Sequence, residues 1–293
     1  MIYMDDRHIK EFGLFLRTGH EHPGPETDDY AVTIPGMHGA HDMGSRIRPR
    51  RFNLPLGFFP EMTQREREKK IRELMSFLLD QYGKPRTFKL VFEYEPEKWY
   101  RVRYSGSLPL QRISTTAVFD LPLIAFDPFA YANMTAYDPD ETYEYDTGLQ
   151  YDSGLMYPNP AGFSWRYINH YSSVYNHSPY ETPLLLTIEG RVADPRIENR
   201  TNGGTIILDR SFQDEKIFID GNRYMTFVAD IDSETYFLSP EFPAQFREEV
   251  LSGNLIEYQR GSFIMLEPGQ NDLHFYGGNP DATVIYQWLH RFM

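Results

Sequence analysis

Phe88-Lys89-Leu90-Val91-Phe92 and Trp99-Tyr100-Arg101-Val102-Arg103-Tyr104 are two short runs rich in aromatic and β-branched residues. Only the acidic, proline-containing segment Glu93 to Lys98 parts them. Aromatic and β-branched side chains pack well on a pleated face, and a short polar break between two such runs predicts a β-hairpin. The fold is read outward from this hairpin.

Immediately before it, residues 63–82 predict the one main helix. Thr63 and Glu66 have capping-box spacing, in which hydroxyl and carboxylate each satisfy an orphan backbone N–H. Ile71, Leu74, Met75, Leu78, Leu79 and Tyr82 fall at steps of three and four and form an apolar stripe. Gly83 suits the left-handed position after a helix, and Pro85 prevents continuation. Gln64 to Lys70 are polar and charged, so the first turns face solvent or a partner. Such a helix docks on a sheet rather than standing alone.

Further towards the N-terminus, Phe12 to Leu16, Tyr30 to Ile34 and Arg51 to Phe58 read as strands, with Pro35-Gly36 ending the second. Thr18 to Asp29 is acidic and reads as an exposed loop. Beyond the hairpin, Thr115 to Phe126 is a further strand region, and Asp127-Pro128-Phe129-Ala130-Tyr131 closes the first half. Residues 131–183 then hold ten of the 21 tyrosines, including a small repeat, Tyr145-Asp146-Thr147-Gly148-Leu149 and Tyr151-Asp152-Ser153-Gly154-Leu155. This stretch reads as an extended arm or edge hairpin beside a domain junction near 130–140.

From Pro183 the strands resume at 184–190, 204–208, 216–220, 224–228, 262–266, 273–276 and 282–288. Strands at this spacing without a strong helix read as a β-sandwich. The expected fold class is mainly β and two-domain. An α+β N-terminal domain spans 1–135 and a C-terminal sandwich spans 136–293, with the last residues able to pack back on the first domain.

Composition narrows the function. Among 293 residues, 42 are acidic and 29 basic, a net charge of −13. A surface this acidic repels a phosphate backbone and argues against general nucleic-acid binding. Cysteine is absent, which excludes disulfides and Cys-containing zinc sites. No apolar run approaches the ~18 residues of a membrane span. Met1-Ile2-Tyr3-Met4-Asp5-Asp6 lacks the basic start and apolar run of a signal peptide, so a soluble chain folded in the cytosol is expected.

Catalytic motifs are missing. There is no phosphate loop, dinucleotide fingerprint, Gly-x-Ser-x-Gly elbow or His-Glu-x-x-His. His20-Glu21-His22 and His38-Gly39-Ala40-His41-Asp42 hold metal-ligand types, but in polar loops and without a metal-site spacing, so they read as solvated loop residues. No two of the many carboxylates stand out as a glycosidase pair. Trp165, Tyr167, Tyr171 and Tyr175 are candidates for stacking on sugar rings. Against that, their alternation with polar residues also fits one face of a strand on a core. Asn133, Asn176 and Asn199 head glycosylation sequons that carry weight only in a secreted chain. No cofactor, metal or catalytic residue is expected, and the chain reads as a non-enzymatic building block.

The order of landmarks adds a family. They run from Ile34-Pro35-Gly36-Met37-His38-Gly39 through Leu78-Leu79, Tyr100-Arg101-Val102 and Phe126-Asp127-Pro128-Phe129-Ala130-Tyr131. They continue through Tyr151 to Leu155, Val174-Tyr175-Asn176, Thr182-Pro183, Ile188-Glu189-Gly190, Phe218-Ile219-Asp220 and Leu266-Glu267-Pro268-Gly269-Gln270-Asn271. In this order the sequence resembles the distal tail proteins of phages with long non-contractile tails, over nearly the whole chain. The acidic loop at 18–29 departs from that pattern.

The resemblance implies a subunit of a hexameric ring at the virion tail tip, folded in the host bacterial cytoplasm. Its N-terminal half would form the ring, and its C-terminal half would be a galectin-like sandwich projecting outward. Its partners would be further copies of itself, the tail tube protein, the tail-tip (tail-associated) protein and a receptor-binding protein. DNA would pass only in transit through the lumen, where like charge keeps it from sticking. Phe88, Leu90, Phe92, Trp99, Tyr100 and Val102 are the candidate contacts between neighbouring copies, since a long hairpin can add to a neighbour's sheet. The alternative reading is a carbohydrate-binding module that contacts host cell-wall saccharide through the C-terminal sandwich.

Overall fold

The computed structural model describes residues 2–20, 22, 24–108, 111–112, 117–135, 162–230 and 253–293. The tyrosine-rich repeat at 145–155 and the first residues of the 115–126 strand region lie outside them, as does the side chain of the sequon residue Asn133. The chain divides into two compact units, Met1–Tyr131 with Met293, and Ala132–Phe292.

The strands of the first part are β1 (Ile2–Met4), β2 (Arg7–His8), β3 (Leu14–Leu16), β4 (Thr27–Val32), β5 (His41–Ile47), β6 (Arg50–Phe58), β7 (Thr87–Phe92), β8 (Glu95–Tyr104), β9 (Gln111–Arg112), β10 (Ala117–Ala125) and β11 (Ala130–Thr135). The helix α1 spans Gln64–Leu78. The main sheet runs in the order β2-β1-β7-β8-β10-β6-β3, all antiparallel, with β9 on β10. Its register places Leu90 opposite Tyr100, Phe88 opposite Val102, Leu121 opposite Leu54 and Leu123 opposite Phe52. Residues paired this way share a face, and on this face all eight are buried. That apolar face forms the core of the unit.

Two predicted elements end differently. Phe12 does not begin a strand; it closes a short 3-10 turn, Ile9–Phe12. His8 caps that turn by accepting from the Lys10 N–H, Glu11 completes the capping box, and Gly13 ends it in the left-handed region at φ +70°. The strand therefore starts two residues later, at Leu14. Helix α1 begins on its predicted Thr63–Glu66 capping box but stops at Leu78, a turn before Gly83. Asp80 accepts from the backbone N–H of Tyr82 at 2.9 Å and Lys84 at 2.8 Å, and this local turn outcompetes the helix.

The apolar stripe of α1 is narrower than predicted. Only Leu74 and Leu78 are fully buried, and Tyr82 stands in solvent. Phe77, outside the predicted stripe, packs between Phe12 and Phe88 with ring centroids 5.3 Å from each.

The second unit carries β12 (Gly162–Trp165), β13 (Asn169–Asn176), β14 (Thr182–Pro183), β15 (Leu185–Asn199), β16 (Thr205–Leu208), β17 (Ser211–Asp220), β18 (Met225–Asp230), β19 (Gly253–Asn254), β20 (Gln259–Gly261), β21 (Met265–Leu266), β22 (Gly269–Gln287) and β23 (Leu289–Phe292). Its large sheet runs β12-β22-β15-β17-β18-β19, with β13 on β22, and β16 on β15 and β20. β14 and β21 form a separate pair. β15 passes through register shifts at Gly190–Val192 against β17, and at Arg191–Ala193 and Ala193–Arg196 against β22, bulges that bend a sheet and increase its twist. Trp165, Val192, Phe212, Phe275, Tyr286 and their neighbours form the core. The mainly β, two-domain fold read from the sequence is the fold observed.

Buried asparagines shape this unit. Asn271 Oδ1 accepts from the Glu267 N–H at 2.9 Å, and its Nδ2 donates to the carbonyls of Glu267 and Gly269. Asn199 Nδ2 donates to Asn271 Oδ1 at 2.9 Å and to the Met265 carbonyl at 2.8 Å. Asn176 Nδ2 donates to the carbonyls of Tyr180 and Leu266. The amides of Asn176 and Asn199 are thus buried and occupied in the folded chain, which closes both sequons to glycosylation.

Candidate interaction surfaces

The most exposed described element is the β4–β5 hairpin. It forms a two-stranded sheet by itself, pairing Thr27 with Ile47, Asp28 with Arg46 and Val32 with His41. Every residue of β5 is exposed, as is all of β4 except the partly covered Asp28. Tyr30, Val32, Ile34, Met43 and Ile47 are apolar side chains in solvent here. Both faces of the hairpin are therefore exposed, and an isolated two-stranded hairpin is marginally stable in water.

Charge pairs knit the hairpin at its root. Arg48 Nε lies 2.7 Å from Asp28, Arg46 3.4 Å from the same carboxylate, and Arg48 3.5 Å from Glu26. The hydrogen bond from Arg48 holds the Asp28 carboxyl below its usual range. A cleft of about 380 Å³ lined by Glu26, Arg48, Pro49, Arg51 and Ile124 opens beside this root.

The chain enters the hairpin through His22, which is not the solvated loop residue the sequence predicts. Its imidazole sits among Phe52, Phe92, Tyr94 and Tyr100, with centroid distances of 4.9–5.9 Å. Nδ1 lies 2.5 Å from Tyr94 Oη and Nε2 2.9 Å from Tyr100 Oη. Buried Arg50 donates to Tyr100 Oη at 3.2 Å. His20 stacks on Phe92 at 6.4 Å. Burial, with the Arg50 charge second, pushes the His22 imidazole below its ordinary value. Burial pushes the Tyr94 phenol up to about 12. In the second histidine group Asp42 accepts from the Gly44 N–H at 2.8 Å, within the hairpin. Among the described residues no three His, Asp or Glu side chains are grouped to hold a metal.

The six hairpin residues named as contacts between copies lie elsewhere than expected. Phe88, Leu90, Phe92, Trp99, Tyr100 and Val102 are all buried in the first unit's own structure. β7 pairs with β1 and β8, and β8 with β7 and β10, so both strands have neighbours on either side. Trp99 stacks on Tyr131 at 4.9 Å. Sequence pattern alone does not separate a long aromatic hairpin inside a sheet from one at its edge. The exposed apolar hairpin is β4–β5, signalled in the sequence only by Tyr30 to Ile34 ending at Pro35-Gly36.

The four sugar-stacking candidates also divide. Trp165 is buried in the second core, and its Nε1 donates to the Tyr167 carbonyl at 2.9 Å. Tyr167, Tyr171 and Tyr175 are exposed. Tyr171 stacks nearly parallel on His274, at 4.5 Å and 7°.

Residues 8–125 match the family of the phage tail protein RIFT-related domain. Over these residues the chain is similar to a phage tail domain. The match takes in the exposed hairpin, the His22 cluster, α1 and the main sheet apart from β1 and the start of β2. Across its whole length the chain shares the fold of the SPP1 Dit (gp 19.1) protein, described as a paradigm of the hub adsorption apparatus in phages that infect Gram-positive bacteria. The TM-score is 0.62 at 12% identity, covering 100% of both chains. Chains from the phage P2 baseplate in its activated conformation also match. The calcium form has a TM-score of 0.46 and 10% identity, covering 96% of this chain and 91% of that one. The strontium form has 0.43 and 10%, covering 92% and 88%. No curated protein sequence matches the chain. The phage tail domain and the full-length fold bear out the resemblance to distal tail proteins, and with it a structural role in a phage tail.

Proposed function

We propose that this chain is a distal tail protein that closes, six copies together, into a ring at the tail tip. The ring joins the last tube ring to the tail-tip protein, offers an attachment point for a receptor-binding protein, and lets DNA pass. It performs no catalysis. The observation that carries this reading is the uncovered β4–β5 hairpin inside the phage tail domain.

A ring is built from one heterologous contact repeated until it closes, so each copy needs a projecting element and a surface to receive it. The hairpin is such an element: two strands, both faces exposed, with Tyr30, Val32 and Met43 outward. Covering apolar side chains of this kind on a neighbour stabilises by roughly 25 cal/mol per Å² removed from water. Since β7 and β8 are internal, the self-contact moves from the 88–104 hairpin to residues 27–47. A net charge of −13 per copy gives the assembly an acidic field that disfavours DNA adhesion.

The test is the mass of the purified full chain by light scattering at micromolar concentration, with negative-stain images. Six copies of a 34.4 kDa chain give a ring of about 206 kDa. Val32→Asp with Met43→Asp should yield a monomer that keeps the wild-type circular-dichroism spectrum, with a melting temperature lowered by the loss of assembly. A wild-type chain that stays monomeric at 100 micromolar refutes the reading.

A further inference from the structure

We propose that the outer face of β13, β22 and β15 in the second unit is a binding platform for a neutral saccharide, centred on Tyr171, His274 and Tyr276. This goes beyond the ring reading and does not depend on it.

Strand alternation builds the platform. β13 buries Val174 and Asn176 and turns Asn169, Tyr171, Ser173 and Tyr175 outward. β22 buries Leu273 and Phe275 and turns Asp272, His274 and Tyr276 the other way. The register pairs Tyr171 with His274, Asn169 with Tyr276 and Ser173 with Asp272. β15 continues both rows, placing Glu198 beside His274 and Arg196 beside Tyr276.

Tyr171 and Tyr276 are diagonal neighbours of a non-parallel ladder, about 7–8 Å apart. Tyr171 is 63% and Tyr276 48% exposed, so both rings present area to solvent. His274 backs Tyr171 in a parallel stack, and its Nε2 lies 3.1 Å from Asn169 Oδ1, which fixes the imidazole. The Arg200 guanidinium stands 6.0 Å from the Tyr171 ring centre. The His274 stack holds the ring before any ligand arrives, and the ring stays 63% exposed.

The chemistry favours a sugar over a protein. A protein interface depletes charge at its centre and buries apolar anchors. Here Glu198, Asp272, Arg196 and Arg200 interleave with the tyrosines. A pyranose ring has one face of C–H groups that sits on the electron-rich face of an aromatic ring. Its equatorial hydroxyls reach the surrounding carboxylates, guanidinium and amide, which both donate and accept. Acidic and basic side chains are balanced across the platform, which selects no net charge on the ligand.

The experiment is saturation-transfer NMR on the full chain with cellotetraose, maltotetraose and tetra-N-acetylchitotetraose, alongside the particle mass of each sample. At least one sugar should bind, with affinity falling tenfold or more in Tyr171→Ala and staying within threefold in Tyr171→Phe. Melting temperature and particle mass should not change in either variant. Silence from all three sugars overturns the proposal, as does binding that survives Tyr171→Ala with Tyr276→Ala. A changed particle mass in that double variant makes the face a protein contact and also overturns it. An unchanged ring that binds no sugar leaves the tail-hub reading standing, and a monomer that binds sugar leaves the platform standing.

Discussion

The imidazole of His22 bridges Tyr94 and Tyr100, with Nε2 2.9 Å from Tyr100 Oη. Arg50 already donates to Tyr100, so the Tyr100 hydroxyl proton is free to donate to Nε2. In the neutral imidazole one ring nitrogen donates to its phenol while the other accepts, so either tautomer completes the bridge. This contact pins the segment that leads into β4 onto the β7–β8 pair, and so sets where the exposed hairpin leaves the unit. His22→Ala should cost about 1–2 kcal/mol, because the buried Tyr100 hydroxyl loses one of its partners and the ring's packing on Phe52 and Phe92 goes with it. It should also speed hydrogen exchange across residues 27–47 while leaving α1 protected. Equal exchange in that region in both proteins would show that His22 does not anchor the hairpin.

The same bridge predicts acid sensitivity. Burial lowers the folded-state pKa of His22, and Arg50, His20 and Lys98 press the same way while Glu95 opposes them. An unfolded histidine titrates near 6.5, so the contribution of His22 is complete above that pH. It is lost as pH falls through the lower folded value, because the unfolded chain takes the proton first. Denaturant midpoints measured from pH 7.5 to 5 should therefore fall more steeply in wild type than in His22→Gln. Parallel curves would contradict this. The variant comparison removes the background from His290, which burial, with His177 second, pushes down to about 4.

Asn271 links the turn before β22 to β15 through Asn199. Asn271→Ala removes four side-chain hydrogen bonds in a fully buried site and leaves the Asn199 amide short of a partner. A loss of about 2–4 kcal/mol is expected by chemical denaturation. Asn271→Asp should also destabilise, since it replaces two donated bonds by a buried charge.

Gly190 has φ +125°, and a Cβ there would stand 2.5 Å from the Asp281 carbonyl oxygen. It sits where the β15–β17 register shifts. Gly190→Ala should destabilise the second unit by about 2–4 kcal/mol through backbone strain and steric conflict. The melting transition would report it; an unaltered one would mean the bulge relaxes freely.

Phe77 ties α1 to the sheet, with the Arg86 guanidinium 4.4 Å from its ring centre. Phe77→Ala should cost about 2–3 kcal/mol, less than a fully buried phenylalanine, because the ring is half-covered. Helix-specific exchange would rise ahead of that of β6.

Much of the architecture was legible in the residues. Alternation in 51–58 and 88–104 marked strands because a pleat sends successive side chains to opposite faces. The Thr63–Glu66 box marked the helix start because capping is a contact between near neighbours. The helix end was not legible, since the Asp80 turn competes with a Gly83 signal of similar strength. The roles of His22 and Trp165 were not legible either. A histidine between acidic and proline residues reads as solvated, and only the packing of Phe52, Phe92, Tyr94 and Tyr100 around it makes it an anchor.

Sequence by itself determined the β-rich class, the α1 cap, the absence of cysteine chemistry and the ordered landmarks of a tail protein. These depend on local spacing and composition. Tertiary structure alone decided which aromatic hairpin is core and which is uncovered. It also decided which of Trp165, Tyr167, Tyr171 and Tyr175 reach solvent. Those outcomes turn on strand order: β7 and β8 acquire partners from residues 2–4 and 117–125, whereas β4 and β5 pair only with each other. A strand's own residues carry its pattern, but its burial is conferred by neighbours far away in the chain.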